Sequence, residues 1–288
     1  MTRHVLATAF ECQPGHGSEA GIGWHWALEI AKRNRLTLIT QGCRVEEIES
    51  TSAKLGHPIH AVGLDLPKGK AAQGRKDLGT FSAWQKAVES MAKRIHAEDP
   101  VDLAHHLTLS CSWIGSGLAV LDVPFVWGPV GQDPHVPDDA ILGTDLTFRA
   151  REVRKTRGRG AHAHSPLLQG TLENADVILS AGREFEARIP LEFEYKAVSM
   201  LGAGVESFDI QSLPIRRGRT LEILFVGRLT DPKGARLAFE AFAKLRYRQP
   251  RTRLTFIGEG DRRAWIQKRT RELGLGDAVR VVGHLSQR

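Results

Sequence analysis

Short apolar runs of strand length alternate with longer amphipathic segments along the whole chain, and this alternation restricts it to βα units wound around parallel sheets. The pattern predicts strands at His4–Phe10, Leu36–Thr40, His57–Gly63, Val101–His106, Val123–Trp127, Val177–Ala181 and Lys196–Met200. Helices are predicted at Glu19–Arg33, with Trp24, Ala27, Leu28 and Ala31 on one face, and at Phe81–Glu98. A polar stretch, Glu206–Arg219, contains Pro214 and a basic cluster and reads as a linker. The alternation then restarts with a strand at Leu221–Val226, a helix at Ala235–Arg248, a strand at Arg253–Ile257, a helix at Arg262–Leu273 ended by Gly274, and a strand at Ala278–Val282. The expected architecture is α/β, with one Rossmann-like domain over residues 1–205, a linker over 206–219, and a second such domain over 220–288 that stops after three strands.

Two domains suit 288 residues at roughly 100–200 residues per domain, and 41% apolar with 25% charged residues excludes a disordered chain. The longest apolar stretch, Trp113–Val130, is interrupted by Asp122, Pro124 and several glycines, so it does not read as a spanning helix. The N-terminal run from Val5 to Phe10 meets Glu11 before it reaches the length of a signal sequence, which predicts a cytoplasmic protein. Cys12, Cys43 and Cys111 are odd in number and widely spaced, which argues against a disulfide framework or a zinc site and predicts buried thiols. No metal site is expected, since Asp138-Asp139 lacks the spacing of a paired-carboxylate metal motif.

The net charge is 40 − 33 = +7, unevenly spread. Residues 215–288 hold 18 basic against 7 acidic side chains, a net of +11, which leaves −4 for residues 1–214. The basic end therefore attracts an anion: a nucleotide diphosphate, a nucleic acid or an acidic membrane surface. Residues 149–159 add six basic side chains against Glu152, a pattern that serves a membrane-facing or phosphate-facing element and equally a solvated helix face. Aromatic residues of the basic end fall mostly at core spacing, which disfavours nucleic acid.

Several strand ends carry residues suited to chemistry. The loop after the first strand contains Gly15, Gly17, Gly21 and Gly23, where backbone N–H groups can approach an anion at a helix N-terminus; the same glycines suit a plain tight turn. It lacks the acidic residue that a dinucleotide fingerprint wants after the second strand, where Gln41 and Gly42 stand. His105 and His106 close the fourth strand, where they can hold a substrate hydroxyl or polarise a reacting group near neutral pH, or merely satisfy backbone groups. In the second domain Arg228 offers a planar fork for phosphate oxygens and Lys233 a second charge five residues on. The turn with Gly258 and Gly260 repeats the strand-to-glycine pattern. Taken singly, each of these is also a common α/β turn.

Their order is more specific. Gly227-Arg228-Leu229, Lys233-Gly234, Ala241-Phe242-Ala243-Lys244-Leu245, Gly258-Glu259-Gly260, Leu273-Gly274-Leu275 and Gly283-His284-Leu285-Ser286 together resemble the donor half of GT-B glycosyltransferases of the retaining family 4, or group 1, type. Residues 17–24, Asp102–His106, Phe125–Gly131 and Gly202-Ala203-Gly204-Val205 resemble that family's acceptor half. The resemblance implies two Rossmann-like domains facing a cleft, the second incomplete, and transfer of a sugar from a nucleotide-diphosphate sugar to an acceptor hydroxyl with retention, in glycan or cell-envelope polysaccharide synthesis. It implies Arg228 and Lys233 on the donor diphosphate, and His106 in preference to His105 on the sugar. Gly15, Gly17, Gly21 and Gly23 would form a phosphate or acceptor loop, and Gly204, Gly258, Gly260 and His284 would contact the nucleotide. The donor is a co-substrate, with no cofactor and no metal. The expected partners are the donor and a glycan or lipid-linked acceptor, with peripheral contact at the inner membrane face and no nucleic acid. Glu206 stands where the family has Asp, and its Glu-x7-Glu pair would fall beyond Arg288. A chain lacking that pair is expected to be inactive alone, a binding-only remnant being the alternative to an enzyme, and a basic nucleic-acid module a further one.

Overall fold

The computed structural model describes residues 2–66, 78–131, 146–162, 165–204, 218 and 220–285. The chain divides into two compact units, one formed by Met1–His135 with Arg154–Val205, the other by Val136–Val153 with Glu206–Arg288. The main division falls after Val205, and Val136–Val153 groups with the second unit. Of the expected linker, Gly218 lies among the described residues.

Unit one is built on a seven-stranded parallel sheet in the order β3-β2-β1-β4-β5-β6-β7. Its strands are β1 (His4–Ala9), β2 (Arg35–Thr40), β3 (His60–Gly63), β4 (Leu103–Thr108), β5 (Phe125–Val130), β6 (Val177–Ser180) and β7 (Ala197–Ser199). Every residue of β1 is buried, as expected for a central strand covered on both faces. Alternation along it sends Val5 and Ala7 to one face and Leu6 to the other. On the first face they meet Trp24 and Ala27 of α1 (Ser18–Ala31) and Ile48 of α2 (Val45–Lys54). On the second, Leu6 joins Phe81, Trp84 and Val88 of α3 (Leu78–Glu98). Helix α4 (Leu146–His162) contributes residues to both units.

Helix α5 (Pro166–Asn174) starts on Ser165, whose hydroxyl accepts from Leu168 N at 3.3 Å, with Pro166 in the first turn. It ends against buried Lys196, whose ammonium donates to the carbonyls of Leu172 at 3.0 Å and Glu173 at 2.7 Å. These two carbonyls lack helical partners, so Lys196→Met should leave them unsatisfied and lower stability by about 1–3 kcal/mol. An unchanged urea midpoint in Lys196→Met would show that the cap contributes nothing. The short α6 (Arg183–Glu186) follows β6.

Unit two has three parallel strands in the order β10-β9-β8: β8 (Leu221–Val226), β9 (Thr252–Ile257) and β10 (Val279–Gly283). These are the three strands expected over residues 220–288. Helices α7 (Ala235–Arg248) and α8 (Arg263–Glu272) supply Phe239, Phe242 and Ile266 to a core with Leu254 and Phe256.

Helices α2 and α5 and the short α6 fall where no helix was expected. The fourth strand is also displaced: expected over Val101–His106, it runs over Leu103–Thr108, so the histidines are followed by two further strand residues. Asp102 instead accepts a hydrogen bond from His4 N at 2.7 Å, and Val101 is buried just ahead of the strand. Cys12 and Cys111 are buried as expected, whereas Cys43 is exposed.

Candidate functional site

In an open parallel sheet, ligands bind outside the carboxyl ends of strands where the winding reverses. In unit one that point lies between β1 and β4, which pair through Ala7↔His105 and Thr8↔His106. Adjacent strand residues face opposite ways, so the histidines part. His105 goes to the α1 face, its ring edge-on to Trp26 at 5.5 Å between centroids, and His106 to the α3 face, 6.4 Å from Phe81. Each donates from Nε2 to a carbonyl, His105 to Gly128 at 2.9 Å and His106 to Leu109 at 3.1 Å, since a carbonyl can only accept. The Nδ1 of His106 meets the Thr8 hydroxyl at 3.5 Å, so both its nitrogens are engaged. Burial pushes both pKa values down to about 4, and both rings are neutral at pH 7. Each ring is therefore a fixed neutral imidazole with a defined tautomer at neutral pH.

Around them, Glu11 N donates to the Thr108 hydroxyl at 3.2 Å, which itself donates to the Glu11 carbonyl at 2.7 Å, tying the end of β1 to that of β4. The Glu19 carboxylate, in the first turn of α1, accepts from Ser110 N and from its hydroxyl at 3.2 Å. The chain thus supplies one negative charge of its own to this helix N-terminus. Gly15 is left-handed, with φ of 67° and open space around it, and Gly17 is the N-cap of α1. Gly21 and Gly23 have a packing reason of their own: a Cβ on either would lie 2.1 Å from a backbone oxygen, of His16 and Glu11 respectively. Gly23→Ala should consequently cost about 1–3 kcal/mol, read as a lower melting temperature. Equal melting would mean that α1 moves freely away from the β1 end.

In unit two the candidates share the carboxyl ends of the three strands: Arg228 and Lys233 after β8, Gly258 and Gly260 after β9, His284 after β10. The first two loops are joined closely. Leu229 N donates to the Glu259 carbonyl at 2.9 Å, Arg262 N to the Leu229 carbonyl at 2.9 Å, and Gly258 N to the Gly283 carbonyl at 2.8 Å. A Cβ on Gly258 would stand 2.0 Å from the Gly227 oxygen, and one on Gly260 would stand 2.3 Å from that of Leu229, so both glycines let the loops touch. Arg228 and Lys233 are exposed and make no ion pair among the described residues. Many neighbouring cations are, in contrast, matched internally, as in Arg236–Glu240, Arg246–Asp277, Arg263–Glu259 and Arg269–Glu272. A depression of about 360 Å³ has Arg228, Thr230, Asp231 and Arg262 in its wall. Two cations on one loop, backed by backbone and open to solvent, can bind a polyanion such as a diphosphate.

Gly204 is described and has open space around it, and His284 is exposed. Asp138 and Asp139 lie outside the described residues, among which no group of three metal-ligating side chains occurs. No described helix is long and apolar enough to cross a membrane. The expectations overlooked Asp231 and Arg262; the repeated strand-to-glycine turn after β8 and β9 was the available signal that their loops meet.

Parallel sheets in both units, with candidate residues at the strands' carboxyl ends, define an α/β fold of the GT-B glycosyltransferase type. The chain aligns with TarM of S. aureus at TM-score 0.60 and 8% identity, over 100% of this chain and 78% of that one. It aligns with Anabaena HepE, solved in complex with UDP and glucose, at TM-score 0.56 and 13% identity, over 99% and 70% of the two chains. Residues 209–288 match the family model described as Glycosyl transferases group 1. Among curated proteins, the glycogen synthases of two Mycobacterium tuberculosis strains, CDC 1551 / Oshkosh and ATCC 25618 / H37Rv, are 43% identical over 235 residues, which is 80% of this chain and 47% of theirs. The chain thus spans about half the length of the curated relatives it matches.

Proposed function

We propose that this protein transfers a sugar from a nucleotide-diphosphate sugar to a glycan hydroxyl, with retention at the anomeric carbon. The observation that carries the reading is the pair of cations without an ion pair among the described residues, Arg228 and Lys233, on a loop fixed at the strand ends of a group 1 domain. As the bond to the anomeric carbon loosens, the sugar becomes oxocarbenium-like and charge accumulates on the leaving diphosphate. Cations already in place stabilise that charge without reorganisation. Gly258, Gly260 and His284, at the neighbouring strand ends, are the candidates for nucleotide contact, with Gly204 and the loop of Gly15 and Gly17 as further candidates.

For the sugar, His105 has the better physical case of the two histidines. His106 is fully buried with both nitrogens engaged, whereas His105 keeps some exposure, at 7%, and its Nδ1 remains an acceptor for a hydroxyl. His105→Ala should lower kcat about tenfold with little change in donor KM, because the contact acts at the reacting sugar. Equal turnover in both single variants would remove the histidines from the reaction.

The name of the mycobacterial relatives favours a polysaccharide acceptor, with cell-envelope glycans as the wider class. Phe239, Phe242 and Phe256 are buried, and exposed Tyr247 is one ring where a nucleic-acid platform uses a series, which supports a sugar donor over nucleic acid as the anionic partner. The decisive experiment incubates the protein with UDP-, ADP- and GDP-sugars and an α-glucan, following donor loss and product linkage by NMR. Transfer with an α-linkage from an α-donor is expected. Donor binding without transfer would favour a binding-only role, and absence of both would overturn the proposal.

A further inference from the structure

Between Arg228 and Lys233, the two cations assigned to the donor, the same loop carries a carboxylate. Asp231 has a side chain only 4% exposed, and a bare negative charge there would repel the diphosphate that its neighbours attract. It is not bare. Arg262, 31 residues on and at the start of α8, aims its guanidinium at both oxygens: Nε donates to Oδ1 at 2.8 Å and a terminal nitrogen donates to Oδ2. Arg236 adds a weaker charge, with its Nε 3.9 Å from Oδ1 and no hydrogen bond to it.

The same residue also holds the loop through its backbone, since Arg262 N donates to the Leu229 carbonyl at 2.9 Å, one residue past Arg228. Arg262 therefore grips the loop at two points between the donor cations, once by main chain and once by a planar fork. Both Arg228 and Arg262 stand in the wall of the 360 Å³ depression.

We propose that Arg262 is a positioning residue of the donor site: by clamping and neutralising Asp231 it holds the loop so that Arg228 and Lys233 present an uncancelled positive charge to a nucleoside diphosphate. This rests on the donor-site reading above. Removing the fork has two consequences: it frees the loop, and it exposes the diphosphate to the Asp231 carboxylate. The second of these is electrostatic and depends on the ligand's charge. It should weaken a nucleoside diphosphate more than the matching monophosphate, and removing the Asp231 carboxylate as well should reverse part of the loss, which a general loss of order would not allow.

The test is calorimetry on the full chain with UDP, ADP and GDP, taking the tightest binder together with its monophosphate. Arg262→Gln should weaken the diphosphate about tenfold and the monophosphate about threefold or less. Arg262→Lys, which keeps the charge without the fork, should recover part of the loss. Asp231→Asn combined with Arg262→Gln should bind the diphosphate more tightly than Arg262→Gln alone, because the uncovered carboxylate is gone. Equal losses for both nucleotides, or a double variant no better than the single, would overturn the positioning role even if Arg262→Gln melts at a lower temperature. If wild type binds a diphosphate and Arg228→Ala abolishes this while Arg262→Gln does not affect it, the donor site stands and the role of Arg262 falls. If none of the three nucleotides binds wild type, the donor-site reading itself fails and the proposal falls with it.

Discussion

Acidification from pH 7.5 to pH 4.5 should destabilise unit one by several kcal/mol, well before carboxylate protonation dominates. In the folded chain His105 and His106 take up a proton only near pH 4, because burial disfavours the imidazolium; for His105 the neighbouring His106 lowers the value further. The ordinary value is 6.5, so as the pH falls through that point the unfolded chain binds protons that the folded chain refuses. Their contribution is fully present above about pH 6.5, declines between 6.5 and 4, and is gone below 4. At about 1.4 kcal/mol per pH unit each ring accounts for roughly 3 kcal/mol, an upper figure because the buried site relaxes. Asp99, held below its ordinary 3.8 by Arg35, titrates beneath this window and cannot mimic the effect. Five of the six tryptophans belong to unit one, so fluorescence-monitored urea unfolding reads the right part of the chain. His106→Asn should be less stable at pH 7.5 but show a flatter decline toward pH 4.5. A decline as steep as wild type in both His105→Asn and His106→Asn would show that the rings are not the groups responsible.

That same pair shows what hydropathy does and does not reveal. The run of βα units, the strand Leu221–Val226 and the helix Ala235–Arg248 were legible because apolar side chains mark them directly. Strand β4 was ended two residues early because polar side chains crowd its carboxyl end: His105, His106 and Thr108 are buried and satisfied by hydrogen bonds, so the pair of histidines does not mark the end of the strand. Helix α2 escaped notice because it buries only Ile48 and Ser52 among its ten residues. Helix α5 did carry a signal, Ser165 followed by Pro166, which is a capping signature rather than a periodicity. Arg228 and Lys233 stood out as cations next to glycines. The clamp on the carboxylate between them did not, since Asp231 and Arg262 meet only through the parallel register Val226↔Ile257 that sets the two loops side by side.

Replacing Arg228 and Lys233 together by Ala should weaken nucleoside-diphosphate binding by about a hundredfold or more. Each loses a charge-assisted contact of roughly 1–3 kcal/mol, and no other side chain of this loop can take over, because the remaining charge, Asp231, is negative and already held. The two losses should not simply add, since both cations face one ligand on one loop. The competing explanation is the general field of a segment whose net charge is +11, in which any exposed cation would serve equally. Lys244, exposed on α7, separates the two. Lys244→Ala removes the same unit of charge from the field but none from the loop, and should leave affinity within about twofold at 0.15 M salt, where screening limits the reach of a single charge to about 8 Å. If Lys244→Ala weakens binding as much as Arg228→Ala does, the attraction belongs to the segment as a whole, and the loop after β8 is not a donor site.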